Sequence, residues 1–317
     1  MIKKALIFGV SGQDGSLLAR FLLKKKYKVT GVSRNESLQK FSNLKRLQIY
    51  DNISLSKIDY SKYNQIYSLI KKNKCNEIYL LSDQSSVFKS LKIPHATIRD
   101  NLIFITNILE ACKNIKKKIR IYYSSSSEIF GDINKKACDE NSEFYPKSPY
   151  ALSKLISFKI IKSYRENFKM WAASGIIFNH ESFLRPNTFV LKKIIDFVKN
   201  CSYKSNKTIR MGNINISRDW GSAEDYVQYM WKMLQLKKPE DFVIATGKTV
   251  KLKKIINFIF KKKNLSIHKN IKITKSLIRN NELMKISGNI RKAKKKLKLK
   301  KIKNVFDVVE DIYKYNN

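Results

Sequence analysis

The stretch MIKKALIFGVSGQDG, residues 1–15, decides the fold. An apolar run at residues 5–8 leads into Gly9, Gly12 and Gly15, and an apolar helical pattern follows at residues 17–23. A buried strand turning sharply into a helix needs glycine at these places. The first allows the tight turn, the second lets a pyrophosphate approach the backbone, and the third lets helix and strand pack closely. The free N–H groups at the start of that helix suit phosphates. The spacing is GxxGxxG rather than GxGxxG, so its position between strand and helix carries the argument against an ordinary glycine-rich turn.

Outward from this turn, strand-like runs recur at residues 28–32, 78–81 and 119–124, with helical patterns at 17–24, 63–71 and 101–112. Such alternation predicts right-handed crossovers and a parallel sheet, an α/β Rossmann-like fold. A further helix is expected at residues 155–168 and a strand at 172–178. Beyond this the rhythm loosens. Pro186 interrupts it, a helix resumes at 188–199, a short buried strand at 243–245 ends at Gly247, and a closing helix is expected at 305–315. There is no internal repeat. The division predicted is a dinucleotide-binding domain, residues 1–178 and about 210–248, with a smaller, discontinuous substrate-binding domain, residues about 179–209 and 249–317.

The 317 residues carry 65 Lys and Arg against 25 Asp and Glu, a formal charge of +40. That balance invites a nucleic-acid reading, so the distribution of charge matters. The lysines are spread along the chain, at residues 24–26, Lys71, Lys72, Lys74, 116–118, 261–263 and 294–296. Most flank apolar segments, as solvated helix faces and turns do. A compositional bias toward Lys, Asn and Ile explains this better than a specific polyanion surface. Cys75, Cys112, Cys138 and Cys201 form no metal-binding spacing, and His95, His180 and His268 are scattered, so no metal site is expected. Neither a signal-peptide pattern nor an apolar run long enough to span a bilayer is present, and a cytoplasmic protein without membrane partners is expected.

The sharpest chemistry lies in Tyr150-Ala-Leu-Ser-Lys154. Tyrosine and lysine four apart on a helix share a face. The ammonium favours tyrosinate, which makes Tyr150 a candidate base near neutral pH, and the same lysine suits a nicotinamide ribose. Upstream, SSSSEIFG (residues 124–131) sets hydroxyls and a carboxylate at a strand's carboxyl end, where open sheets hold ligands. Ser126 and Glu128 share a side if that strand stays extended.

These segments carry a resemblance to the extended short-chain dehydrogenase/reductase superfamily, and more closely to the GDP-mannose 4,6-dehydratase family. It spans nearly the whole chain, through GVSGQDGSLLARFLL (9–23), SSSSEIFG, FYPKSPYALSK (144–154), SGIIFNHES (174–182), RDWGSAEDYV (218–227) and DFVIATG (241–247). The resemblance implies an internal redox cycle that turns GDP-mannose into its 4-keto-6-deoxy form. Tyr150 then looks like the base at the sugar 4-OH, Ser126 the hydroxyl at O4, Lys154 their companion, and Glu128 the group that takes the C5 proton and protonates the departing 6-OH. NADP is the implied cofactor, held by Gly9, Gly12, Gln13, Asp14, Gly15, Arg34, Asp59, Tyr150 and Lys154. GDP-mannose contacts are implied for Ser85, Asn179, Lys193, Arg218 and Arg279, and a structural hydrogen bond for His180. A homo-oligomer, dimer or tetramer, is implied too.

The pattern departs from the family in places. Arg34 is followed by Asn35 where a basic pair is usual, and residues 36–55 are fewer than usual in a loop that helps build tetramers, which makes a dimer competitive. Ser86 stands where the family has histidine. Asn280 and Gly288-Asn289 replace the usual tail motifs, which weakens the assignment of Arg279. The rivals within the fold are a GDP-4-keto-6-deoxymannose reductase and another nucleotide-sugar dehydratase or epimerase. A different class is a non-catalytic, basic polynucleotide-binding protein, whose binding salt would abolish.

Overall fold

The computed structural model describes residues 2–34, 41–115, 117–132, 137–279, 281–299 and 302–315; Asn35, residues 36–40, Lys116 and Asn280 lie outside them. The chain divides into two compact units. The first comprises Met1–Ile129, Pro146–Ile177 and Tyr226–Phe242, and the second Phe130–Tyr145, Phe178–Asp225 and Val243–Asn317.

The first unit is built on strands β1 (Lys4–Phe8), β2 (Lys28–Ser33), β3 (Ser54–Lys57), β4 (Glu77–Leu80), β5 (Arg120–Ser126) and β6 (Ala172–Ile177). Every pairing from β3 to β6 is parallel. With the later strand β10 (Phe242–Ile244), the sheet order is β10-β6-β5-β4-β1-β2-β3. The connecting helices are α1 (Gln13–Lys24), α2 (Ser42–Arg46), α3 (Tyr63–Asn73), α4 (Val87–Lys92), α5 (Pro94–Asn114) and α6 (Pro149–Asn167). Both β4 and β6 are buried along their whole length, the pattern of strands covered on both faces. Leu6, Phe8, Ile78 and Ile121 pack with Ile66 and Ile70 of α3 and Ile105 and Ile108 of α5 in one core. Each such side chain stabilises the fold by about 1.5–3 kcal/mol relative to exposure.

The expected alternation is present, and several elements run further than their periodicity indicates. Helix α5 begins at Pro94, because proline at a first helical position loses no hydrogen bond. Helix α6 begins at Pro149, and Ser148 caps it by accepting from the Ala151 N–H at 3.1 Å. Tyr150 and Lys154 therefore lie in its first turns, on one helix as their spacing requires. The Tyr226–Phe242 segment, which includes most of α8 (Ala223–Leu234), completes this unit. Trp231 donates to the Tyr27 hydroxyl at 3.0 Å, and Gln235 donates to buried Glu77 at 3.1 Å. Arg165 forks onto both oxygens of Asp241 at 2.8 and 2.6 Å, and the Ser174 N–H adds a bond to the same carboxylate at 2.7 Å.

The second unit uses short strands: β7 (Asn179–Glu181), β8 (Ile209–Met211), β9 (Ser217–Ser222), β11 (Thr249–Lys251) and β12 (Ile271–Ile273), in sheets ordered β11-β9-β7 and β12-β8. Its longer helices are α7 (Val190–Lys199), α9 (Leu252–Phe260) and α12 (Val305–Lys314), with α10 (Ile267–Asn270) and α11 (Arg291–Leu297) between them. Leu191, Ile194, Ile195 and Val198 meet Ile255, Ile256 and Ile259, and Val305, Val308 and Ile312, in a second core at helical spacing. Asp219 clasps this unit. Its carboxylate accepts from the Thr246 N–H (2.8 Å) and hydroxyl (2.6 Å) and from the Gly247 N–H (2.8 Å). Among the described residues no helix is long and apolar enough to cross a membrane.

Candidate active site

Gly9 and Gly15 have the backbone geometry expected of a tight turn and a close packing contact. Gly9 has φ +87°, and a Cβ there would lie 2.6 Å from the Leu81 carbonyl oxygen. At Gly15 a Cβ would fall 2.2 Å from the Gly9 oxygen, so helix and strand are in direct contact. Gly12, the N-cap of α1, has only the Gly9 oxygen near such an atom, at 3.4 Å, and no side chain caps the helix. This leaves the open helix start that an anion needs. Gln13 donates to Asp14 at 3.0 Å within that first turn.

Beyond β2 lies a cavity of about 350 Å³ lined by residues including Arg34, Asp59, Tyr60, Ser82 and Arg99. The Arg34 guanidinium sits 5.4 Å from the Tyr60 ring centre. Asp59 accepts from the Ser61 hydroxyl (2.7 Å) and N–H (2.9 Å), and these bonds hold its carboxyl below the usual range. Gln84 lines this cavity; Ser85 is exposed and does not.

The candidate catalytic residues gather at the carboxyl end of β5 and the start of α6. Ser126 ends β5, and its hydroxyl favours the ionised form of the Tyr150 phenol. Ser127–Phe130 then forms a 3₁₀ turn, which corrects the extended path expected for this segment. Ile129 and Phe130 are both fully buried, which the alternation of a strand does not allow for neighbours facing a single core. The turn aims the Glu128 N–H at Ser126 Oγ, 3.3 Å away, instead of setting the two side chains on one strand face. Helix α6 is fixed beside β5 by α5, whose Asn101 donates to Ser153 at 3.0 Å.

Lys154 is 5% exposed and donates to the Ser124 carbonyl (2.6 Å) and to Asp83 Oδ2 (2.7 Å). Tyr123 donates to the same Asp83 oxygen at 3.0 Å. Burial disfavours the Lys154 charge, but Asp83, Tyr150 and Asp14 together outweigh it and the pKa rises. For Tyr150, burial raises the pKa, and Lys154 and Ser126 offset only part of that, with Glu128 and Asp83 adding to the rise. The phenol brought down by its lysine is thus corrected: desolvation dominates, and the lysine already faces a carboxylate. Asp83 is the residue sequence reasoning missed. Its signal was a lone carboxylate just past the carboxyl end of a buried strand, where open sheets display functional groups.

The remaining candidates lie in the second unit. Asn179 opens β7, and His180 beside it is buried with Nδ1 2.8 Å from the Phe178 carbonyl. Lys193 in α7 donates to the Arg210 carbonyl at 2.7 Å, and burial lowers its pKa. Arg218 in β9 is buried and reaches the Ser217 carbonyl at 3.0 Å. Arg279 is half-buried in a loop. The four cysteines are buried free thiols, and no cluster among the described residues suits a metal ion.

The sequence model of the GDP-mannose 4,6 dehydratase family matches residues 6–312. The chain belongs to that family. GDP-mannose 4,6-dehydratase of Yersinia enterocolitica is 37% identical over 84% of this chain and 73% of its own length. GDP-mannose 4,6 dehydratase 2 of Caenorhabditis elegans is 39% identical over 81% of this chain and 70% of its own. Among solved structures, UDP-glucuronic acid 4-epimerase of Bacillus cereus superposes with a TM-score of 0.87 at 22% identity, covering 98% of both chains. The dTDP-glucose 4,6-dehydratase DesIV of Streptomyces venezuelae gives 0.87 at 15% identity, over 98% of this chain and 95% of its own. At such identities these likenesses establish the fold. Ser86 caps α4, where its hydroxyl accepts from the Lys89 N–H at 3.2 Å.

Proposed function

We propose that this protein converts GDP-mannose to GDP-4-keto-6-deoxymannose and water with NADP. One observation carries the reading: in a chain of this family, Lys154 lies one helical turn from Tyr150 with its Nζ 6.0 Å from the ring centre, and the Ser126 hydroxyl favours the same phenolate. The open start of α1, the glycine cradle and the cavity beside Arg34 fit a dinucleotide. Gly9, Gly12, Gln13, Asp14 and Gly15 would hold its phosphates and Lys154 its nicotinamide ribose, with Asp59 beside its adenosine. Arg34 suits a 2′-phosphate and so favours NADP over NAD.

When bound, the nicotinamide supplies reversible hydride exchange, taking hydride from the sugar C4 and returning it at C6. The chain's own residues move the protons. Tyr150, as phenolate, removes the 4-OH proton while Ser126 hydrogen-bonds O4. The ketone so formed acidifies C5–H, and Glu128 takes that proton. Protonated Glu128 then gives it to the departing 6-OH, and water leaves. A proton added back at C5 completes the product. One sugar carbon is oxidised and another reduced, so the cycle consumes no external reductant. Asn179, Lys193, Arg218 and Arg279 are proposed to bind the diphosphate and nucleoside, and Ser85 the sugar. Their donors suit those acceptors.

An NMR time course with GDP-mannose and catalytic NADP+ in deuterated water tests this. A 6-deoxy-4-keto product carrying deuterium at C5 is expected. Glu128→Gln should stop elimination, and normal elimination by that variant would remove Glu128 from its role.

A further inference from the structure

Asp83 lies in the loop after β4, and its side chain is 2% exposed. Its Oδ2 accepts from both Lys154 and Tyr123, while Oδ1 is buried without a hydrogen-bond partner. The negative charge is therefore balanced at short range by one cation, and that cation belongs to the YxxxK pair. Among the described residues, the charged and titratable groups around Tyr150 are Lys154 on the same helix, Glu128 from the 3₁₀ turn, Tyr123 of β5 and Asp83, with Asp14 of α1 also acting on Lys154. An unpaired lysine 6.0 Å from the Tyr150 ring centre would stabilise tyrosinate. A lysine whose charge is cancelled by a carboxylate at 2.7 Å does so far less.

We propose that Asp83 is a positioning residue that clamps Lys154 and so helps burial keep the Tyr150 phenol protonated in the ligand-free protein. The inference rests on the proposed role of Tyr150 as the base, yet its central test needs no turnover. It gives the pocket a built-in restraint: the base is held in its resting form, and the lysine is fixed in place.

The test is NMR of protein labelled with carbon-13 at the tyrosine ring carbon bearing oxygen, with Tyr150→Phe assigning the signal. In the unsubstituted protein Tyr150 should ionise above the ordinary value of about 10. In Asp83→Asn it should ionise lower by about 1–3 pH units, the size of effect a neighbouring charge exerts. Asp83→Glu, which keeps the charge, should restore the higher value. An unmoved or raised Tyr150 titration in Asp83→Asn would overturn the proposal. So would ionisation below about pH 8 with Asp83 in place, a result that needs no variant to fold. Should Asp83→Asn be unstable, Asp83→Ser provides a smaller neutral side chain for the same comparison. The acid limb of the kcat/KM profile with GDP-mannose should shift in step. A shifted titration without any dehydration would support the clamp and refute the function, so the two failures are distinct.

Discussion

Lys154 of the first unit and Lys193 of the second are held in opposite ways. Lys154 is buried against a carboxylate, and the pair is locally neutral. Lys193 rests on the Arg210 carbonyl, where burial lowers its pKa. A neutralised cation serves to tune a neighbouring group, whereas one whose charge is penalised gains from an incoming anion. On the proposed function, the contrast separates a residue arranged for chemistry from one arranged for binding, although both are helix lysines.

Four changes would break or sharpen that contrast. The largest effect is expected from Tyr150→Phe, which removes the acid–base group and should lower kcat by about 10²–10⁴-fold with little change in GDP-mannose affinity by calorimetry. Next comes Lys193→Met. Loss of a charge-assisted contact of about 1.5–3 kcal/mol should weaken GDP binding roughly tenfold or more while leaving the Tyr150 titration unmoved. An unchanged GDP affinity would collapse the distinction between the lysines. Lys154→Met should move the acid limb of kcat/KM to higher pH by about 1 unit or more, since the charge that opposes desolvation is gone. The sign follows from the phenolate requirement: activity falls as pH drops through the Tyr150 pKa, and raising that pKa makes the fall begin earlier. The smallest effect belongs to Gly9→Ala, which sets a Cβ 2.6 Å from a backbone oxygen at positive φ and should cost more than about 1 kcal/mol in denaturant unfolding.

A pH effect on stability distinguishes the first unit as well. Tyr79, Tyr122 and Tyr123 have pKa values raised chiefly by burial. Groups raised on folding contribute stability that is complete below the unfolded value of about 10 and lost as pH climbs through the folded values. Alkaline unfolding should therefore coincide with tyrosinate absorbance, and separate transitions would sever that link.

The first unit was legible where local pattern and tertiary role agree. The apolar run before Gly9 and the periodic helices around Ile66 and Ile105 announce buried elements on both faces of a sheet. The edge strand β3 was missed because Ser54–Lys57 is short and partly exposed. Helix α4 was missed because six residues give too little periodicity. In the second unit, the three-residue strands β7, β8, β11 and β12 are specified by packing and by the Asp219 clasp rather than by any repeat. At the site, Tyr150, Lys154 and Ser126 were visible as a spaced set. Asp83 was not, because its meaning comes from folding 71 positions away from Lys154.

The late return of Tyr226–Phe242 to the first unit has a consequence for how the protein is made. A ribosome emits the chain in order, so Arg165 and the Ser174 N–H emerge long before Asp241 can meet them. Glu77 likewise waits for Gln235. A nascent chain stalled after β6 would have finished the glycine turn and the YxxxK helix while lacking the partners that seal them.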